Sequence, residues 1–273
     1  MKLDYHIHTK LCKHASGQMA EYVEQALKLG FDEIAFTDHI PLPQNFDPAH
    51  RMSLSEIDFY LNEIEKLKTR FGKDIKILTG IEADFYDGFE DYLADFLNRF
   101  PMDIVILSVH FIRDWPAGNW TFSYYFPGRP LKEIYSDYLQ ALMRGVKTGL
   151  FNVLGHLDLI KRDEARLLDG NEQEVRQLLG LVRQQNMAVE INTSGLRKEI
   201  GEPYPHQSIW PLLAEFQLPV TMGSDAHAPN QVGFRFAEIE RQLVAVPGLQ
   251  KARCINGNFE IIDWSFEPST ISK

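Results

Sequence analysis

Apolar segments that predict buried strands alternate along the chain with segments that predict amphipathic helices. After an opening strand in residues 3–8 come the segments EIAFTDH, IKILTGIEADF, DIVILSVHF, FNVLGHLDLI, MAVEINTS and PVTMGSDAH. Apolar residues at helical spacing predict helices at residues 19–30, 53–72, 88–99, 131–148, 171–186, 206–217 and 232–244. Strands that alternate with helices pair in parallel and are covered on both faces, so about seven such units predict a single α/β barrel domain over residues 1–273.

The composition disfavours several classes of protein. Thirty-eight acidic against 28 basic side chains give a net charge of −10, the wrong sign for a broad surface that binds nucleic acid. The 2 cysteines lie far apart and form no CxxC pair, which disfavours a disulfide scaffold or a thiolate zinc module. No apolar run reaches about 18 residues, and no leader pattern opens the chain. We therefore expect a cytoplasmic protein that neither spans a membrane nor binds nucleic acid.

Two histidines at the start of the chain predict a point where a cation could bind. His6 and His8 alternate with the apolar residues Leu3, Tyr5 and Ile7, which is the two-residue period of a half-buried strand. Side chains two residues apart project from the same face of a strand. The two imidazoles are thus expected to converge, although two solvated histidines would give the same pattern.

Metal-ligating side chains recur where the predicted strands end or in the loop just beyond. They are His6, His8, His14, His39, Glu82, His110, His156, Asp225 and His227, which include seven of the 9 histidines. Parallel α/β barrels gather their functional groups at this rim. Imidazole and carboxylate ligands suit zinc, manganese or iron better than calcium. So many donors could hold two or three divalent ions, which favours displacement at phosphorus or at a carbonyl.

Several segments together resemble the polymerase and histidinol phosphatase (PHP) family, most closely its stand-alone histidinol-phosphatase branch. The resemblance runs from residue 3 to about residue 230 through DYHIHT, His14, FTDH, GIEADF, SVHF, GHLDLIKR, EINTSG and GSDAH. It implies a distorted (β/α)7 TIM-like barrel with a trinuclear metal centre. One metal would take His6, His8, Glu82 and Asp225, a second would share Glu82 and add His110 and His156, and a third would take His14, His39 and His227. Asp38 has no ligand role in this scheme, and we expect it to orient a ligand instead.

Basic residues past the fifth and sixth strands are candidates for binding a phosphate group. The segment LIKRDEARL contains Lys161 and Arg162, and NTSGLRKE contains Arg197. A guanidinium group matches phosphate oxygens bidentately, so Arg162 and Arg197 are the predicted clamps, while solvated loop arginines remain the alternative. Lys161 and His206, in the loop after the sixth strand, are further candidates for substrate contact.

The loop at residues 111–130 is too long for an ordinary connection and is rich in aromatic residues. We expect it to act as a substrate lid, in which Trp115 could stack on an imidazole ring and Asp114 could meet an ammonium group. A loop that only packs against the barrel would have the same composition.

The resemblance implies a metal-dependent phosphomonoesterase that hydrolyses L-histidinol phosphate to L-histidinol and phosphate in histidine biosynthesis. A hydroxide that bridges two metals near Glu82 would attack phosphorus, and Arg162 and Arg197 would neutralise the phosphoryl oxygens. The proton for the leaving group would come from a metal-bound water or from the neighbourhood of Asp225 or His227. Two alternatives remain: a phosphodiesterase or exonuclease built on the same metal centre, and a non-catalytic metal-binding module of the same family.

Overall fold

The computed structural model of the chain describes residues 1–112, 119–162 and 166–264. The strands in these ranges are β1 (Leu3–Ile7), β2 (Glu33–Phe36), β3 (Lys76–Asp84), β4 (Ile104–Ser108), β5 (Phe111–Ile112), β6 (Asn119–Trp120), β7 (Val153–Leu154), β8 (Ala188–Asn192), β9 (Pro219–Gly223), β10 (Gln250–Ile255) and β11 (Asn258–Ile262). The α-helices are α1 (Met19–Lys28), α2 (Ile57–Phe71), α3 (Glu90–Arg99), α4 (Leu131–Lys147), α5 (Leu168–Gln184), α6 (Trp210–Glu215) and α7 (Phe236–Val244). Within the described part of the chain, no helix is long and apolar enough to cross a membrane.

A single sheet with helices between its strands forms the centre of the molecule. Its order is β1-β2-β3-β4-β7-β8-β9-β10-β11, and every neighbouring pair from β1 to β10 is parallel. Strands β1, β2, β4, β7 and β8 are buried along their whole length, as expected for parallel strands that are covered on both faces. The predicted parallel α/β architecture is confirmed.

The first strand meets the end of the ninth strand, but not as a continuous ladder. One parallel bridge joins Ile7 to Ala226, with hydrogen bonds from the His8 amide to the Ala226 carbonyl (2.9 Å) and from the Ala226 amide to the His6 carbonyl (3.2 Å). The buried Asp4 carboxylate adds a bond at the same place, since its Oδ1 accepts from the Ser224 amide at 2.8 Å. We call this junction the seam of the barrel.

Helix α2 shows how the sequence fixes the position of a site-bearing strand. Ser53 and Glu56 form a capping box in the turn that leads into α2, where the Ser53 amide donates to Glu56 Oε2 at 2.8 Å. On the buried face of α2, the Tyr60 hydroxyl donates to the Gly80 carbonyl in β3 at 2.9 Å. The helix is thereby fixed to the strand that carries Glu82.

Several local predictions were wrong. The strand predicted at residues 151–160 is extended only at β7, and the short hairpin β5–β6 was not predicted. The helix predicted at 206–217 begins at Trp210 after a 3-10 turn, because Pro211 has no amide hydrogen and is tolerated only in the first turn. Strands β10 and β11, which extend the sheet beyond β9, were also missed.

Candidate metal centre

The nine predicted ligands converge at one end of the sheet. Seven of them are at least nine-tenths buried as residues, namely His6, His8, His39, Glu82, His110, His156 and Asp225. His14 is exposed and His227 is partly exposed. The group therefore reaches from the buried interior of the molecule to its exposed rim.

Four ligand atoms form a compact group beside the seam. His6 Nε2 lies 3.1 Å from His8 Nε2 and 3.4 Å from Glu82 Oε2, and His8 Nε2 lies 3.5 Å from Glu82 Oε2. Asp225 Oδ1 is 3.2 Å from His8 Nε2 and 4.0 Å from His6 Nε2. Four ligands at about 2.1 Å from a tetrahedral ion lie about 3.4 Å from one another. The observed spacing therefore suits one shared cation.

The other oxygen of Glu82 faces a second group. Glu82 Oε1 lies 2.8 Å from His156 Nε2 and 3.7 Å from His110 Nε2, and it accepts a hydrogen bond from Ser108 Oγ at 2.6 Å. The two carboxylate oxygens thus face two different sets of imidazoles, with His110 and His156 at Oε1 and His6, His8 and His39 at Oε2. A carboxylate in this orientation can bridge two cations.

A third group lies at the rim. The ring of His227 is centred 4.5 Å from that of His14 and 4.1 Å from that of His8, and His39 Nδ1 is 2.9 Å from Glu82 Oε2. The buried Cys12 thiol also belongs here, because Cys12, His14 and His227 each offer a ligand atom within 4.8 Å of the others. Burial opposes ionisation of this thiol, but the neighbouring imidazoles lower the pKa of Cys12 to about 5.

Buried ligand atoms that make no hydrogen bond indicate that these groups suit metal ions. His227 Nε2 has no hydrogen-bond partner within the described ranges, and Glu82 Oε2 and His39 Nδ1 make no hydrogen bond there although they lie 2.9 Å apart. A buried polar atom that is left unpaired costs free energy, so such atoms are expected to have a partner. Imidazole nitrogens and carboxylate oxygens are the ligands that zinc, manganese and iron share. The residues present therefore fit divalent transition metals.

Buried carboxylates contact the ring nitrogens that face away from the group of ligand atoms. Glu190 Oε1 lies 2.6 Å from His6 Nδ1, and Asp84 Oδ1 lies 2.9 Å from His110 Nδ1. Asp38 Oδ1 lies 3.6 Å from His8 Nδ1, which is too far for a hydrogen bond, so the orienting role expected for Asp38 stays a prediction. A carboxylate on one ring nitrogen fixes the orientation of the imidazole and raises the basicity of the other nitrogen.

Glycine at position 223 makes room for this arrangement. A Cβ at Gly223 would lie 2.0 Å from Glu190 Oε1 and 2.8 Å from His6 Cβ. Any larger residue at this position would overlap the Glu190–His6 pair. The glycine therefore belongs to the site, although it carries no functional group.

The carboxylates of the site are ionised despite their burial. Burial opposes ionisation of Glu82, but the imidazoles of His39, His6 and His110 hold the pKa of Glu82 well below its ordinary value. Asp225 behaves in the same way, since His6 and His8 outweigh the desolvation of its carboxylate. The site thus has fixed negative charge at its centre and neutral or cationic imidazoles around it.

Arg197 is the predicted phosphate ligand that lies beside the metal-ligating residues. Its Nη2 donates to the carbonyls of Ser224 and Asp225 at 2.9 Å each, and its Nη1 is buried without a hydrogen-bond partner in the described residues. Burial lowers the pKa of Arg197, while Asp225 opposes this shift. An oriented guanidinium group with one free nitrogen, next to a proposed metal ligand, suits an anionic group.

The other residues predicted to contact the substrate are less well placed to bind a phosphate group. Arg162 is exposed, lies 4.0 Å above the Tyr125 ring and donates to the Phe122 carbonyl. Lys161 is buried. Its ammonium group donates to the Pro203 carbonyl at 2.6 Å and forms an ion pair with Asp158 Oδ2 at 3.1 Å.

His206 is partly exposed, and its Nδ1 lies 2.9 Å from Ser208 Oγ. Trp115 and Asp114 lie outside the described residues. The substrate contacts proposed for Lys161, His206, Trp115 and Asp114 all stay predictions.

The sequence predicted the nine clustered side chains, but it did not predict the residues that contact and orient them. Asp84 follows Glu82 by two positions and Cys12 precedes His14 by two, so both could have been suspected from their spacing. Glu190 gave no comparable signal, because its strand contains no residue that had been identified as a ligand.

The chain is similar to known proteins over most of its length. A family model described as the PHP domain matches residues 4–194. A protein of Deinococcus radiodurans named "Probable histidinol-phosphatase" is 37% identical over 245 residues, covering 90% of this chain and 94% of the relative. The histidinol-phosphatase of Bacillus subtilis is 31% identical over 265 residues, covering 88% of this chain and 99% of the relative.

A solved structure has a similar fold. It is the histidinol phosphate phosphatase of Lactococcus lactis complexed with zinc, L-histidinol and phosphate, which matches with a TM-score of 0.77 and 25% identity. The match covers 95% of this chain and 98% of that chain.

Proposed function

Because the chain belongs to the PHP domain family, we propose that it is a metal-dependent phosphomonoesterase that hydrolyses L-histidinol phosphate to L-histidinol and phosphate. The two relatives that carry the name histidinol-phosphatase match it over nearly their whole length. The Lactococcus structure with a similar fold holds zinc together with both products of this reaction. Such an activity would serve histidine biosynthesis.

The orientation of Glu82 is the observation that carries the proposal. Its Oε2 faces His6 and His8, with His39 also beside it, and its Oε1 faces His110 and His156. We assign Glu82 to a position between two cations. The site would hold two or three ions of zinc, manganese or iron through His6, His8, His14, His39, Glu82, His110, His156, Asp225 and His227. Bound ions supply Lewis-acid charge for the phosphoryl oxygens and make water acidic enough to act as a nucleophile near neutral pH.

The protein groups around these ligands bind and orient the substrate. Arg197 is held by the carbonyls of Ser224 and Asp225, and its buried Nη1, which has no hydrogen-bond partner in the described residues, is the nitrogen left to donate to a phosphoryl oxygen. These hydrogen bonds to backbone carbonyls also keep the guanidinium group beside Asp225, where the phosphate group would approach the cations. Arg162 could join from the rim, but it would have to leave the ring of Tyr125.

A substrate panel tests the proposal. Metal-replete protein should hydrolyse L-histidinol phosphate with a higher kcat/KM than p-nitrophenyl phosphate, sugar phosphates and other metabolite monoesters. The same preparation should release little product from bis(p-nitrophenyl) phosphate and from a short single-stranded DNA. Better hydrolysis of another monoester would refute the assigned substrate, and faster cleavage of either diester would favour a phosphodiesterase.

A further inference from the structure

His50 lies at the edge of the candidate metal centre and is held by a carboxylate. Its Nδ1 lies 2.6 Å from Asp47 Oδ1. Its ring packs edge-on against two aromatic rings, with centroids 5.6 Å from His14 and 5.1 Å from Trp120. The side chain is 46% exposed, so the imidazole borders both the cluster of ligands and the solvent.

Asp47 is itself fixed to the metal centre. Its Oδ2 accepts from Arg51 at 3.1 Å (Nη2) and 3.3 Å (Nε), and the buried Arg51 donates from Nη1 to Asp84 Oδ2 at 3.0 Å. The other oxygen of Asp84 holds His110. Asp47 also adopts a φ of 52°, a left-handed conformation that is uncommon outside glycine. A chain of charged contacts thus connects the position of His50 to a proposed metal ligand.

The contact with Asp47 determines what the free nitrogen of His50 can bind. The Asp47 carboxylate already accepts from Arg51, so it acts as an acceptor, and Nδ1 of His50 must be the donor. In the neutral ring the other nitrogen, Nε2, is then a hydrogen-bond acceptor. Within the described residues this nitrogen has no hydrogen-bond partner. An acceptor in this position can bind a ligand that brings an N–H or O–H group.

Trp120 adds an aromatic surface beside this acceptor. Its ring packs against Phe111 with centroids 4.3 Å apart, which fixes it next to His50. Trp faces attract organic cations. An imidazole acceptor with a carboxylate behind it and a Trp ring beside it therefore form a site that suits a primary ammonium group.

We propose that His50 and Trp120 bind the ammonium group of the substrate and so determine its specificity. This inference rests on the proposed function, because it names the part of the phosphomonoester that this corner of the site recognises. His50 Nε2 accepts a hydrogen bond from the ammonium group, and the Trp120 ring lies against the cation. Asp47 acts as a positioning residue that sets the tautomer of His50.

The test compares L-histidinol phosphate with its des-amino analogue, 3-(imidazol-4-yl)propyl phosphate. Replacing His50 by Leu should lower kcat/KM for histidinol phosphate by about tenfold or more, the scale of a lost hydrogen bond to a charged group. The des-amino analogue should change by less than about twofold, since it makes no such bond. Trp120→Leu should act in the same direction. Ser55→Leu, an exposed residue further along the same connection, is the matched control and should leave both values unchanged.

Product inhibition gives a second measurement that is independent of turnover of the modified substrate. In the His50→Leu variant, the inhibition constant of L-histidinol should rise while that of inorganic phosphate and the metal content stay the same. An equal loss for both substrates, or an unchanged inhibition constant for L-histidinol, would overturn the inference. If the wild-type protein shows no preference for histidinol phosphate over other monoesters, it is the proposed function that fails.

Discussion

Glu190 contacts a ligand from each of the two proposed metal positions that share Glu82. Its Oε1 lies 2.6 Å from His6 Nδ1, and its Oε2 accepts from the His156 amide at 2.8 Å. Because Nδ1 of His6 is engaged in this way, Nε2 is left to face Glu82 and His8. One carboxylate thus orients the inner ligands although it is not expected to touch a cation.

We first predict the effect of Glu190→Gln. The substitution keeps the shape of the side chain but removes the charge that orients His6, so metal affinity should fall by about 10–100-fold, as is typical of supporting groups. Competitive metal titration measures this, and circular dichroism should show an intact fold. Glu240→Gln is the control, since Glu240 is buried against Lys251 and away from the cluster; it should leave metal affinity unchanged. Equal affinities in all three proteins would contradict the role of Glu190.

Gly223→Ala should damage the site through sterics alone. The added methyl group would occupy the space of Glu190 Oε1 and must push the Glu190–His6 pair apart. We expect lower metal affinity together with a loss of stability of about 1–3 kcal/mol, the usual range for overpacking. Gly180→Ala in α5 is the matched control, because the nearest atom to its new Cβ would lie 3.8 Å away. That variant should be neutral or more stable in denaturant unfolding.

Glu82→Gln tests the proposed bridge. An amide cannot supply the negative charge that would hold two cations together, so kcat/KM should fall by more than about 100-fold, beyond the effect of groups that only support ligands. Elemental analysis should find lower metal content while the circular dichroism spectrum is preserved. Turnover close to that of the wild type would show that Glu82 is not a metal ligand.

We next predict the metal content of the protein and the effect of removing the metal. Purified active protein should carry more than one equivalent of transition metal, because nine donors exceed what a single ion can bind. Chelation should abolish activity and lower the Tm, since each ion that binds only the folded state stabilises it by about 2.7 kcal/mol at 100 times its Kd. Full activity with one equivalent or less would contradict a multinuclear site.

The two arginines should differ in their effect on catalysis. Arg197→Ala should reduce transition-state stabilisation by about 2–4 kcal/mol, the range for one preorganised donor to developing charge. Arg162→Ala should cost less, because its exposed guanidinium group packs on Tyr125 and has to be reordered to reach a phosphate. Steady-state kinetics on histidinol phosphate checks the order of the two effects. A larger loss for Arg162 would place the phosphate group nearer the rim.

The sequence predicted the parallel architecture because its strands are rich in apolar residues and separated by helices. It also predicted which histidines meet, since the carboxyl ends of parallel strands share one rim. Strand β10 was missed because charged residues interrupt its pattern; Lys251 is nevertheless buried there, paired with Glu240 and with the Met1 carbonyl. Such pairing depends on residues that are remote in sequence.

The sequence also could not predict the direction in which a side chain points when it follows the end of a strand. Arg162 and Arg197 follow strands in similar ways, yet one lies over an aromatic ring at the surface and the other is held by backbone carbonyls beside Asp225. Loop conformation decides between these outcomes. The inward orientation of Glu190 likewise depends on the space that Gly223 leaves on the neighbouring strand.

A metal ion bound beside the seam of the barrel would hold the two edges of the seam together. His6 and His8 lie on one side and Asp225 and His227 on the other, and within the described residues one backbone bridge, between Ile7 and Ala226, joins the two edges. An ion shared by His6 and Asp225 would act as a removable cross-link between two edges that are remote in sequence, and its loss would leave them joined mainly by the Ile7–Ala226 bridge. The seam is therefore where a demetallated barrel would open first, and amide exchange at His8 and Ala226 would report it.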